Sequence, residues 1–321
     1  MPSPPSPAAF SGPYFVVFNA GSGNQDADKG RATIARVLEE AGRVCEVLPL
    51  TQPGQIAQVA ADAVARARAG GGAVVAAGGD GTINAVAQAV YDSGCPFGVL
   101  PLGTFNYFAR AYGIPQEIEA ATHALLRAQI EPVQAGRVNK QLFLVNASLG
   151  LYPQLLEDRE AYKKQLGRSR AVALLSGMAT LLRERKQLRL QVEADGDSYH
   201  LRTPTLIALN NRLQLERLGF AEQATALTRG RLVGMAIRPT GTLAMFALLL
   251  RGALGALGEA ENVLNLDFRR VTVAPSGRRP RRIKVATDGE VRWMQTPLTF
   301  EVAPEPLLLL VPSPADRVEA A

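Results

Sequence analysis

Val74-Val75-Ala76-Ala77-Gly78-Gly79-Asp80-Gly81-Thr82-Ile83-Asn84 is the stretch around which the rest of the chain reads. An apolar run of strand character ends in two glycines, an acid, a third glycine and a threonine. A helix-like run, Ile83 to Tyr91, follows at once. Glycine lets backbone approach a ligand closely, because no Cβ stands in the way. Backbone N–H groups opening the next helix then face that ligand, and the helix dipole favours an anion there. Asp80 would repel a phosphate directly. It suits a divalent cation lying between the two, or a proton-handling role. The same residues also fit a plain strand-to-helix turn, in which Asp-Gly is common.

The units around this stretch repeat its pattern. Tyr14 to Phe18 is a buried-strand run, followed by Asn19-Ala20-Gly21-Ser22-Gly23-Asn24 and a helix from near Ala27 that carries Ile34, Val37, Leu38 and Ala41 on one face. That loop lacks the Gly-Lys-Ser/Thr ending of a Walker A motif and does not complete G-x-G-x-x-G, so alone it reads as a plain connection. Val44 to Leu50 is a further strand, ended by Thr51-Gln52-Pro53-Gly54, after which Ile56, Val59, Ala60, Ala63 and Val64 line a helix. Phe97 to Leu100 runs into Pro101-Leu102-Gly103-Thr104-Phe105-Asn106 and another helix. The alternation predicts a parallel sheet with helices on both faces, in which ligands bind beyond the carboxyl ends of the strands. The loops at Asn19, Thr51, Gly78 and Gly103 all lie at such ends.

From about Val133 the texture changes to short β-rich runs: Leu142–Ala147, Leu188–Glu193, Thr205–Leu209, Leu232–Ile237, Val263–Phe268, Val271–Val273, Ile283–Ala286 and Leu298–Val302. Arg170–Arg185 and Leu243–Leu257 remain helix-like. Many short strands with turn signals predict an antiparallel sandwich or barrel-like domain. The domain expectation is a disordered tail over 1–12, an α/β domain over 13–132, a β-rich domain over 133–311 that includes Leu307–Val311, and a tail over 312–321. Thr287-Asp288-Gly289-Glu290 between strand runs is a hairpin turn by default. Its functional reading is a pair of carboxylates placed to take a proton from a hydroxyl. Gly277-Arg278-Arg279-Pro280-Arg281-Arg282 is a basic loop, read as a solvated turn or as an attraction for anionic lipid headgroups.

The 321 residues suffice for two domains with real cores, and a hydrophobic fraction of 47% with 20% charged residues is that of a soluble globular protein. A net charge of +6 favours anionic partners. The basic residues are scattered without interleaved aromatics, which argues against nucleic acid. Cys45 and Cys95, the two cysteines, build neither a disulfide framework nor a zinc site, and a reducing cytoplasm is expected. No apolar run is long enough to span a bilayer; the nearest, Leu243 to Leu250, is stopped by Arg251 and reads as a buried or interfacial helix. His123 and His200 fit no triad or ligand pair.

Taken together, Gly78-Gly79-Asp80-Gly81-Thr82, Pro101-Leu102-Gly103-Thr104-x-Asn106 and the late Asp288-Gly289-Glu290 resemble the diacylglycerol kinase catalytic-domain family, which includes sphingosine and ceramide kinases and many bacterial lipid kinases. The resemblance runs from about Tyr14 to Val311 and takes in Ala147-Ser148-Leu149-Gly150 and Asn210-Asn211. It implies an α/β nucleotide-binding domain of the NAD kinase/diacylglycerol kinase-like class, an antiparallel β-sandwich-like domain, and an active site between them. It further implies transfer of the γ-phosphoryl group of ATP to a lipid hydroxyl with Mg²⁺. By motif, Asn19, Thr51, Gly78, Gly79, Asp80, Gly81, Thr82, Asn84, Gly103, Thr104 and Asn106 would meet ATP. Glu290 matches the proton acceptor, Asp288 stands beside it, and Asp80 matches the acid at the metal–phosphate end; which of the three is the base stays open.

Three departures stand out. Tyr107 occupies a position where many members carry an acid. Leu227-Thr228-Arg229-Gly230 replaces the Asp-Gly of members with an accessory Mg²⁺ site, so that site is expected to be absent. Gln55 stands where an acid is common. The resemblance implies a lipid substrate and transient contact of a cytoplasmic protein with anionic membrane, a homodimer being admissible. The alternatives are a non-catalytic lipid- or nucleotide-binding protein of the same fold and an NAD kinase-like enzyme. The Gly-Thr-Phe-Asn element argues against the latter.

Overall fold

The structure, a computed structural model, describes residues 9–19, 24–151, 153, 187–194, 197–276 and 280–319. Gly21–Gly23, the expected helix Arg170–Arg185 and the arginines 278 and 279 lie outside the described residues. The chain divides into two compact units, residues 1–134 with 304–321, and residues 135–303.

The first unit is built of β1 (Tyr14–Phe18), α1 (Asn24–Glu40), β2 (Cys45–Pro49), α2 (Ile56–Gly70), β3 (Ala73–Gly78), α3 (Asp80–Val90), β4 (Phe97–Pro101), α4 (Tyr107–Ala111), α5 (Ile118–Leu126) and β5 (Gln129–Val133). Its six-stranded sheet runs β2-β1-β3-β4, then a strand from the far end of the chain, then β5. The strands β2, β1, β3 and β4 are parallel. Every residue of β3 is buried, as a strand covered on both faces requires, and its unbroken apolar run follows from that. α1 packs on α5, with Ile34, Val37 and Leu38 buried, and α2 packs on α3.

The structure corrects the sequence expectation at three places here. Leu307–Val311, expected in the β-rich domain, lies between β4 and β5, parallel to β4 and antiparallel to β5. The sheet is therefore mixed, not wholly parallel. Leu307, Leu309, Leu310 and Val311 are all buried, which suits a central strand with helices on both sides and not a half-solvated sandwich strand. The expected tails are anchored where they are described. The Phe10 N–H donates to the Ala128 carbonyl at 3.0 Å, and Arg43 donates to the carbonyls of Phe10 and Gly12. Arg127 Nε donates to Asp316 Oδ2 at 2.8 Å and Arg317 pairs with Glu131 at 2.6 Å.

The second unit contains β6 (Gly136–Val138), β7 (Gln141–Phe143), β8 (Asn146–Gly150), β9 (Leu188–Ala194), β10 (Asp197–Thr203), β11 (Thr205–Leu209), α6 (Arg212–Arg217), α7 (Thr225–Thr228), β12 (Leu232–Ile237), α8 (Thr242–Ala253), β13 (Val263–Phe268), β14 (Arg270–Pro275), β15 (Arg282–Thr287), β16 (Glu290–Gln295) and β17 (Leu298–Val302); the remaining strand of the first unit, Leu307–Val311, is β18. Two six-stranded antiparallel sheets form, ordered β10-β9-β14-β17-β6-β7 and β13-β12-β11-β8-β15-β16. Phe143, Val273 and Phe300 of one sheet meet Leu149, Leu206 and Phe268 of the other, so the unit is a sandwich. The far face of the second sheet carries Ile207, Val233 and Met235 against Leu215, Phe220, Met245 and Leu248. β5, β6 and β10 are not among the strands expected from the sequence. β10, Asp-Ser-Tyr-His-Leu-Arg-Thr, is a polar and largely exposed edge strand with no buried alternation to mark it.

Candidate active site

β1 lies between β2 and β3, so the chain order reverses across the β1–β3 pair. A gap opens at the carboxyl ends of strands where connections leave in opposite directions. Asn19, just after β1, and the turn into α3, just after β3, both stand there. The two sides are tied: Asn19 Nδ2 donates to Thr82 Oγ1 at 2.8 Å, and the Asn19 N–H donates to the Ala77 carbonyl at 2.8 Å.

The glycines at this turn answer first to packing. A Cβ on Gly78 would fall 2.6 Å from Thr82 Cβ, so the glycine makes room for the threonine of the next helix. A Cβ on Gly103 would fall 2.7 Å from both the Gly79 Cα and Asn106 Oδ1, so two loops touch backbone to backbone. Gly79 is in extended conformation and supplies no side-chain cap to α3. The first N–H groups of α3 therefore carry the partial positive charge of an uncapped helix start. Gly81 is half-buried in that first turn, and Asn84, one turn behind Asp80, is buried.

Asp80 opens α3 with its carboxylate largely withdrawn from solvent. Burial raises its pKa above the ordinary carboxylate value, partly offset by the backbone N–H groups of Phe108, Asn106 and Tyr107, where α4 begins. Its Oδ1 is buried and has no hydrogen-bond partner among the described residues. An orphaned hard oxygen beside a helix start is the donor that a divalent cation on a phosphate requires, so the residues present fit Mg²⁺.

The remaining predicted contacts divide into exposed groups and groups that hold the loops. Gly103 and Thr104 are exposed. Asn106 is buried in left-handed conformation, φ 50°, and its amide is spent within the loop: Oδ1 accepts from the Gly103 N–H, and Nδ2 donates to the Gly103 carbonyl and to Gln116. It shapes the turn. Thr51 is exposed, and its hydroxyl donates to Gln55 Oε1 at 2.8 Å, which gives the departing Gln55 a partner. Tyr107, in place of an acid, stacks on Phe105 with ring centroids 6.0 Å apart.

In the second unit, Asp288 and Gly289 are the two central residues of the β15–β16 hairpin, with φ of 47° and 92°. Positive φ at both is what the Asp-Gly pair provides in a turn that matches strand twist. The Asp288 carboxylate reaches back across the sheet. Oδ2 accepts from the Leu144 N–H at 2.7 Å and Oδ1 from the N–H groups of Val145 and Asn146, both at 2.9 Å. These bonds break the expected single strand Leu142–Ala147 into β7 and β8. Both Asp288 oxygens are thus occupied by backbone donors, while Glu290, which begins β16, is exposed. Asp80 belongs to the first unit, and Asp288 and Glu290 to the second.

Two further features of this unit had no signal in the sequence. A cavity of about 240 Å³ lies between the sheets, lined by Val192, Leu201, Leu206, Phe268, Val271 and Phe300 among others. A more polar hollow of about 300 Å³ is lined by Glu222, Arg229 and Asp267. There the Asp267 carboxylate is neutralised by Arg231 Nε at 2.8 Å. Among the described residues, no helix is long and apolar enough to cross a membrane.

Comparison with known proteins gives the following likenesses. Residues 13–138 match the family model described as the diacylglycerol kinase catalytic domain. A protein named diacylglycerol kinase from Bacillus subtilis (strain 168) is 33% identical over 185 residues, 56% of this chain and 59% of that one. A protein named probable lipid kinase YegS-like from Pseudomonas aeruginosa is 38% identical over 166 residues, 51% of this chain and 52% of that one. The chain thus spans little more than half the length of the curated relatives it matches. A crystal structure of a diacylglycerol kinase from Bacillus anthracis str. Sterne superposes with a TM-score of 0.66 at 16% identity, covering 94% of this chain and 97% of that one, which shows a shared fold. The likeness to the diacylglycerol kinase catalytic-domain family is thus carried by residues 13–138 of the chain.

Proposed function

We propose that the protein is an ATP-dependent lipid kinase. The observation that carries this reading is the orphaned, buried Asp80 Oδ1 at an uncapped helix start, on the β1–β3 switch point of a domain with this likeness. The uncapped α3 N–H groups and the exposed Gly103–Thr104 turn would bind phosphate oxygens, and Asn19 and Asn106 hold those loops in place. Asp80 would hold Mg²⁺, which when bound offsets the charge of the phosphates. Phosphoryl transfer needs positioning and charge neutralisation more than covalent help. In the reaction the acceptor O–H bond breaks, an O–P bond forms to the γ-phosphorus, and ADP leaves. The exposed Glu290 carboxylate takes the proton, and Asp288 keeps its hairpin in register.

The acceptor is assigned to the β-rich unit. A dry cavity of about 150 Å³ already accommodates an aromatic ring, so the apolar space of about 240 Å³ between the sheets suits part of a hydrocarbon chain. The finer identity of the lipid alcohol is for the assay to name.

The test is transfer of labelled γ-phosphate from ATP to a total-lipid extract by wild type, Glu290→Gln and Asp80→Asn. A labelled lipid made by wild type and lost in both variants is expected. Label transfer unchanged by both substitutions, or no labelled lipid from wild type while ATP still binds, would move the assignment to a non-catalytic binding protein. Competition by NAD for the acceptor would move it to a soluble nucleotide.

A further inference from the structure

α8 is apolar on two opposite sides. Met245 and Leu248 are buried against the second sheet of the sandwich. Leu243, Leu250 and Leu254 are 86%, 54% and 81% exposed, and Ala247 is exposed between them. Their spacing, i, i+4, i+7, i+11, keeps them within roughly 60° of arc at about 100° per residue, over about 16 Å of helix and its cap. The packed pair points to the other side. Ordinary surface helices turn polar residues outward, so a second leucine stripe facing solvent requires a partner.

The charge around the stripe limits what that partner is. Between the exposed Glu222 and Glu259 the chain carries four arginines, Arg229, Arg231, Arg238 and Arg251, and no acid, and Arg251 is the one charged residue of α8 itself. Arg231 is paired with Asp267. Arg229, Arg238 and Arg251 are exposed, and neither Arg238 nor Arg251 is in an ion pair among the described residues. Arg251 follows Leu250 on the helix and so flanks the leucine stripe. A second copy seated on this face by two-fold symmetry would bring the same arginines against one another, and a few leucines fall short of a stable protein interface. A negatively charged, deformable apolar phase fits both the leucines and the arginines.

We propose that the outer face of α8 is a docking surface for anionic lipid bilayer, with Leu243, Leu250 and Leu254 entering the acyl boundary and Arg238 and Arg251 meeting headgroup phosphates. The helix would lie in the plane of the interface. The proposal deepens the lipid-kinase reading, on which it rests for its purpose, by giving the surface from which a lipid hydroxyl is approached.

The experiment is flotation of the full chain with vesicles of phosphatidylcholine containing phosphatidylglycerol, and with phosphatidylcholine alone. Wild type is expected to float with the anionic vesicles, less so at high salt. The triple variant Leu243→Ser/Leu250→Ser/Leu254→Ser is expected to lose binding by about tenfold or more with an unchanged circular dichroism spectrum and melting temperature. Arg251→Glu is expected to weaken binding at low salt only. Triple-variant flotation equal to wild type, or no flotation of wild type, would overturn the proposal. So would concentration-dependent dimerisation of wild type abolished in the triple variant, which would assign the face to a second copy. Phosphoryl transfer to lipid in detergent micelles separates the two readings. Equal transfer by wild type and triple variant, with flotation lost only in the latter, supports docking. No transfer by either, with wild-type flotation intact, counts against the kinase while the docking surface stands.

Discussion

Asn19 Nδ2 and Thr82 Oγ1 lie 2.8 Å apart and join the end of β1 to the first turn of α3. The bond crosses the point at which the sheet order reverses, so it fixes the separation of the two loops that would receive phosphate. Thr82→Val keeps the shape and removes the acceptor. It is expected to cost about 1 kcal/mol in urea unfolding and to raise KM for ATP more than it lowers kcat.

Asp288 acts as a pin, and Glu290 as the exposed carboxylate. Asp288→Ala leaves three backbone N–H groups without their acceptor and is expected to cost roughly 2–4 kcal/mol of stability, together with activity. Glu290→Gln is expected to abolish transfer with the melting temperature unchanged. Thermal unfolding beside a transfer assay checks both; equal loss of stability in the two variants would remove the distinction.

Asp80 should show a conflict between stability and function. Its folded pKa is raised from 3.8 by burial, so the folded state binds the proton more tightly than the unfolded state. Stability therefore falls as pH rises from the unfolded value through the folded one, and the penalty is fully present at neutral pH. Asp80→Asn is expected to melt higher than wild type at neutral pH, with the gap closing in acid below the ordinary carboxylate range. Magnesium with ATP should stabilise wild type and not the variant.

The first unit depends on the end of the chain. Leu309 is fully buried and pairs with Phe97 of β4 and Glu131 of β5. Leu309→Ala is expected to cost about 2–5 kcal/mol. A chain cut after residue 303 loses the strand between β4 and β5 and is expected to expose β4 as an unpaired edge and to aggregate. Circular dichroism and light scattering of the two would show it.

Much of the chemistry is local, and so was legible in residue order. Gly78-Gly79-Asp80 between an apolar run and a helical run reads as a strand-to-helix turn because its determinants are neighbours in sequence. Asp288-Gly289 reads as a hairpin because both residues accept positive φ. The change from helical to alternating periodicity near Val133 separates the two kinds of sheet for the same reason. What residue order alone could not decide is where distant groups meet. Leu307–Val311 is an equally good strand in either unit until the burial of both its faces selects the first. Gly78 reads as an opening for a ligand, but Thr82 occupies the space of its absent Cβ. Asp288 and Glu290 look alike on paper, and only the fold brings three N–H groups from residues 144–146 to one of them. Propensity and turn preference belong to a few adjacent residues. The satisfaction of buried polar atoms, and the side of a helix that meets solvent, belong to segments that the chain joins only on folding.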